Sequence, residues 1–117
     1  MYEFKKLDGE EIVLISDDSI LKVDGNDKNI STILTNQRLL LFDYPSSVNN
    51  YQEAMKVGRG ADYIKQKELI LDVYISDIVS ITLEDGYDKY LLENTNYFYL
   101  KDIQIFQKIS DLRKELD

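Results

Sequence analysis

Ile30-Ser31-Thr32-Ile33-Leu34-Thr35-Asn36-Gln37-Arg38-Leu39-Leu40-Leu41-Phe42-Asp43 reads as two strands joined by a tight turn. Ile30 to Thr35 and Arg38 to Asp43 flank the pair Asn36-Gln37, a two-residue spacing typical of a β-hairpin, and Asn36 tolerates the positive φ that such turns use. Side chains alternate along a strand, so Leu39 and Leu41 share one face while Leu40 and Phe42 share the other. A strand apolar on both faces is expected to be covered on both.

Turn signals and short apolar runs continue on either side of this hairpin. Upstream, Asp8-Gly9 leads into Glu10 to Ile15, Ser16-Asp17-Asp18 reads as a turn before Ile20 to Val23, and Asp24-Gly25-Asn26-Asp27 breaks the chain again. Downstream, Glu68 to Ser76 places Leu69, Leu71, Val73 and Ile75 on one face, and Val79, Ile81 and Leu83 alternate with Ser80, Thr82 and Glu84. Asp85-Gly86 then turns into Tyr87 to Leu92, and Asn94-Thr95-Asn96 into Tyr97 to Leu100. These marks predict roughly seven or eight strands and a mainly β domain.

After Leu100 the period changes from two to about 3.6. Ile103, Phe106, Ile109, Leu112 and Leu116 recur at helical steps, Asp102 is placed to cap the helix, and Arg113 with Lys114 suits the negative end of its dipole. An amphipathic terminal helix of this kind is expected to cover the open end of a curled sheet.

With 117 residues, the chain has room for one domain, 1–117. Its start lacks the order of a signal peptide and no apolar run is long enough to span a membrane, which predicts a cytoplasmic protein. It contains neither Cys nor His, which removes zinc sites, thiol nucleophiles and imidazole acid-base catalysis, so no cofactor and no metal are expected. The formal net charge of −8 opposes nucleic-acid binding and disfavours anionic membranes. Asp17-Asp18 and Asp24 to Asp27 hold oxygen ligands of the kind calcium takes, but the second tract lacks the spacing and distal Glu of an EF-hand loop, and solvated turns are expected.

The segment 44–66 exceeds an ordinary β-connection and reads as an insertion. Ser46 or Ser47 is placed to cap a short helix over about Val48 to Lys56, with Tyr51 and Met55 on one side. Between Met55 and Lys67 the local charge reverses, with Lys56, Arg59, Lys65 and Lys67 against Asp62 alone.

The run Leu34-Thr35-Asn36-Gln37-Arg38-Leu39-Leu40 resembles a motif of GRAM and bacterial pleckstrin-homology-like domains. Gly9-Glu10-Glu11-Ile12 is similar to the opening of such domains, and Ile75-Ser76-Asp77-Ile78-Val79-Ser80-Ile81 to a later strand. The resemblance implies a partly open barrel of two roughly orthogonal antiparallel sheets, capped by the C-terminal amphipathic helix. It implies binding of lipids, peptides or protein surfaces without catalysis, and self-assembly in some members. Phosphoinositide binders of this kind carry Lys and Arg around the first hairpin loop, read here as the acidic Ser16-Asp17-Asp18-Ser19.

Together these readings predict a non-enzymatic module for protein-protein interaction or self-assembly. Binding of lipid or an anionic headgroup through the basic loop 55–67 is the alternative. Candidate contact residues are Tyr51, Met55, Lys56, Arg59, Lys65 and Lys67. Thr35, Asn36 and Arg38 are expected to be structural, with Arg38 paired to a surface carboxylate. Nine tyrosines, several on the last strands, are expected mainly to pack across the sheet.

Overall fold

Strands β1 (Ile12–Val23), β2 (Asn26–Thr35), β3 (Arg38–Asp43), β4 (Glu68–Tyr74), β5 (Ile78–Glu84), β6 (Tyr87–Leu92) and β7 (Tyr97–Lys101) precede helix α1 (Ile103–Leu116) in a computed structural model that describes residues 4–43 and 68–116. Hydrogen bonds join the strands into one antiparallel sheet of order β4-β3-β2-β1-β7-β6-β5. The edges β4 and β5 are not paired with each other, so the sheet is open. Between them lies a single 3-10 turn, Ile75–Asp77.

One face of the sheet wraps the main core. Leu21, Ile30, Leu34, Leu39, Leu41, Val73, Ile78, Tyr90 and Leu100 meet there, with Ile105 and Ile109 of α1 against them. Ile33, Leu40 and Phe42 form a second cluster on the opposite face of β2 and β3, with Phe4 packed against it. All six residues of β3 are buried, as its apolar character on both faces requires.

Two hairpins turn through Asp-Gly pairs, Asp24-Gly25 and Asp85-Gly86. Both residues of each pair have positive φ (51° and 81°, 53° and 82°), the type I′ geometry that matches strand twist. The turn at Asn36-Gln37 works differently. Asn36 is not among the described residues with positive φ. Its side chain binds the backbone of the residues before β1 instead.

Three other expectations are corrected. Ser16-Asp17-Asp18 is no turn, because β1 runs unbroken to Val23 and is bulged between the pairs Ser16↔Thr32 and Ser19↔Ile30. The extra residue brings both serines, three positions apart, inward to one acceptor. The loop between β1 and β2 is therefore Asp24-Gly25, with Val23 opposite Asn26. Second, β4 ends at Tyr74, not Ser76, where the Ile75 N–H turns to the Gln37 carbonyl at 3.0 Å and the Ile75 side chain enters the core.

The third correction concerns the face of α1. Ile105 and Ile109 are fully buried and Leu112 packs beside them, whereas Phe106 is half-buried and Ile103 is 65% exposed. Periodicity alone leaves the face ambiguous, because Ile103 sits in the first turn, ahead of the sheet it would have to cover. Ile109→Ala should therefore cost about 2–5 kcal/mol in chemical denaturation, and Ile103→Ala within about 0.5 kcal/mol. Equal losses would place the helix on the wrong face.

Candidate functional site

The sequence motifs at Gly9–Ile12 and Thr35–Arg38 meet in a buried clasp. Arg38 is held by Glu10 through two bonds, Nε to Oε2 at 2.8 Å and Nη2 to Oε1 at 2.7 Å, and its Nη1 donates to Asp72 Oδ2 at 3.0 Å. Its main partner is thus a buried carboxylate, not the surface one expected. Thr35 Oγ1 donates to Glu10 Oε2 at 2.7 Å and accepts the N–H groups of Gln37 and Arg38. Leu7 N–H donates to Glu10 Oε1, and Arg38 Nη2 to the Lys5 carbonyl.

Asn36 and Gln37 complete the clasp from the turn. Asn36 Oδ1 accepts the Glu11 N–H at 2.9 Å, its Nδ2 donates to the Gly9 carbonyl, and Gln37 Nε2 donates to the Asp8 carbonyl. Thr35, Asn36, Gln37 and Arg38 each thereby bond to the chain's own N-terminal segment. The Arg38 guanidinium holds the Glu10 carboxyl down at about 2 against the opposing effect of burial, and Glu10 in turn raises Arg38.

A second polar cluster joins the sheet to the helix. Asp102 Oδ2 accepts hydroxyl bonds from Ser16 and Ser19, both at 2.6 Å, and Thr32 Oγ1 donates to Ser19 Oγ at 2.8 Å. Asp102 Oδ1 caps α1 by accepting the Ile105 N–H at 3.1 Å. The cap was legible from position 102. Its partners were missed, because a bulge that turns two serines inward leaves no periodic trace.

Tyrosines and lysines share the outer face of β1, β7 and β6. The Lys22 ammonium stands 5.3 Å from the Tyr87 ring centre and 5.6 Å from that of Tyr99, and Lys89 stands 4.5 Å from Tyr97. Tyr87 donates to Asp27, which raises the phenol's pKa. On the inner face Tyr90 stacks on Phe98 at 4.8 Å, as cross-strand packing predicts, and burial raises its phenol too. Its hydroxyl has no hydrogen-bond partner among the described residues.

The remaining feature is the edge at β5, beside which no other described strand lies. Glu84 and Tyr87 flank a two-residue turn and so form a hydrogen-bonded pair. Counting back by twos, Thr82 and Ser80 bond to Lys89 and Leu91 of β6. Ile81 and Leu83 therefore aim their N–H and C=O groups outward. The Val79 carbonyl, beside the bulge, already accepts a bond from Arg113 of α1 at 3.0 Å. Leu83 is 78% and Val79 51% exposed.

The six candidate contact residues Tyr51, Met55, Lys56, Arg59, Lys65 and Lys67, and the expected helix over Val48 to Lys56, lie outside the described residues. Among those described, no cluster of three acidic residues is arranged to hold a metal, and no helix is long and apolar enough to cross a membrane. No protein-family model matches the chain, and comparison with curated proteins and with solved structures likewise gives no match.

The clasp generates a pH prediction. A carboxylate whose folded pKa lies below its unfolded value adds stability above the unfolded value, and that stability is lost as pH falls through the folded one. The Glu10 contribution should therefore be full above about 4.5 and fade towards about 2. Glu10→Gln should lose about 3–5 kcal/mol at pH 7 by leaving Arg38 with a broken buried pair, and should flatten that acid limb in denaturant titrations. A variant with wild-type acid sensitivity would remove Glu10 from this role.

Proposed function

We propose that this chain is a non-catalytic protein-binding module on a pleckstrin-homology-like scaffold, and that it engages polypeptide at the open edge of β5. The scaffold reading rests on the motifs at Gly9–Ile12 and Thr35–Arg38, the antiparallel strand order and the terminal helix across the core. In that reading the strands would fall into two roughly orthogonal sheets with an open corner.

One observation carries the binding reading. From Ile78 to Leu83 the edge strand has no charged residue and no proline, the devices that ordinarily block edge pairing, while its outward backbone groups lie beside exposed Leu83. The opposite edge, β4, carries Glu68 and Asp72. An uncharged edge strand is the geometry of recognition by strand addition, in which main-chain bonds supply affinity and alternate side chains supply selectivity. The clustered polar side chains of the described residues bond to one another, and this argues for binding over chemistry.

A photoreactive benzoylphenylalanine in place of Leu83 tests the reading in cells that express the protein. The expected result is a covalent adduct with a polypeptide identified by mass spectrometry, formed only on irradiation. The same probe in place of exposed Lys108 on α1 should give none. Equal labelling at both positions, or none at either, would refute binding at this edge.

A further inference from the structure

The geometry points to a second copy of this chain as the occupant of the β5 edge, paired antiparallel about a two-fold axis through Thr82. This rests on the protein-binding reading and names its partner. The register follows from which backbone groups are free. Only Ile81 and Leu83 direct both N–H and C=O outward, since Ser80, Thr82 and Glu84 bond to β6 and the Val79 carbonyl is held by Arg113. Two antiparallel copies satisfy all of these groups in one register alone, with Ile81 opposite Leu83 of the second copy and Leu83 opposite its Ile81.

The side chains fit the same register. Leu83, the most exposed large apolar residue of the described chain, gains the second copy's Ile81 as its neighbour, while Ile81 itself packs at the margin of the core. On the opposite face Thr82 meets Thr82, and Glu84 meets Ser80, so no like charges stand directly opposed. The next position brings Asp85 of the second copy beside Val79, where Arg113 already stands, an opposite-charge contact repeated by symmetry. The contact is isologous and closes at two copies, which consumes both uncharged edges and leaves the charged β4 edges outermost.

Each copy carries a net charge of −8, so long-range repulsion opposes the contact and added salt should strengthen it. In sedimentation velocity the purified protein should pass from monomer to dimer between about 10 µM and about 1 mM, at lower concentration in higher salt, as a small interface allows. Leu83→Pro removes an outward N–H without breaking a bond to β6, and Leu83→Lys places a charge on the ridge. Both should keep wild-type circular dichroism and stay monomeric throughout.

The chain has no cysteine, so Thr82→Cys supplies a unique thiol. Directly opposed residues at a non-hydrogen-bonded site lie about 4.5 Å apart between Cα atoms, within disulfide range. Mild oxidation should therefore link Thr82→Cys as a dimer at concentrations where Tyr97→Cys, on the outer face, stays unlinked. A wild type that remains monomeric, or a dimer that survives both Leu83 substitutions, would overturn the inference. If an identified polypeptide other than this chain is captured at Leu83 while the purified protein stays monomeric, the edge-binding reading stands and the second copy falls.

Discussion

The carboxylate of Asp102 is the point on which sheet and helix depend. One oxygen gathers the hydroxyls of Ser16 and Ser19 from the β1 bulge, and the other caps the first turn of α1. The bulge and the cap are thus one interaction seen from two elements. Without the inward serines Asp102 would lose its anchorage to β1, and without Asp102 three polar groups at the core margin would lose their acceptor. Its position sets where α1 starts, and hence that Ile105 and Ile109 reach the sheet while Ile103 stays in water.

The Glu10–Arg38 clasp plays the corresponding part on the other face. It draws the segment from Phe4 to Glu11 across the end of the β2–β3 hairpin, and Phe4 packs on the cluster of Ile33, Leu40 and Phe42. The five-donor guanidinium suits this work because it can bind Glu10 bidentately and still reach Asp72 and a backbone carbonyl. Such satisfaction leaves Glu10 poorly suited to act as a general base. A general base needs a lone pair free for a substrate proton, and Glu10 has both oxygens occupied and a strongly depressed pKa.

What the sequence revealed follows from how local each signal is. The two-faced burial of Leu39 to Phe42, the Asp85-Gly86 turn and the cap at Asp102 each depend on residue type within a few positions, and all were legible. The Ser16–Asp18 bulge was not, because turn residues and bulge residues share a composition and only a distant acceptor distinguishes them. The same holds for Asn36, whose type suited a positive φ while its role depends on Gly9 and Glu11, more than twenty positions away. The β5 edge was hidden for another reason. Val79, Ile81 and Leu83 read as an ordinary half-buried strand, and only the strand order shows that nothing described lies beyond them.

That order also sets a constraint on how the protein stays dispersed. An uncharged edge strand would ordinarily invite indiscriminate pairing, and β5 between Ile78 and Leu83 lacks a local charge to prevent it. The protection present is global, a charge of −8 that repels other acidic chains over a Debye length and leaves the short-range geometry of the edge untouched. The bulge at Val79 and the Arg113 bond to its carbonyl then shorten the usable edge to Ile81 and Leu83. Long-range repulsion together with a short, register-defined edge favours a strand that fits that register over any strand that merely arrives, which is the physical difference between selective and indiscriminate edge pairing.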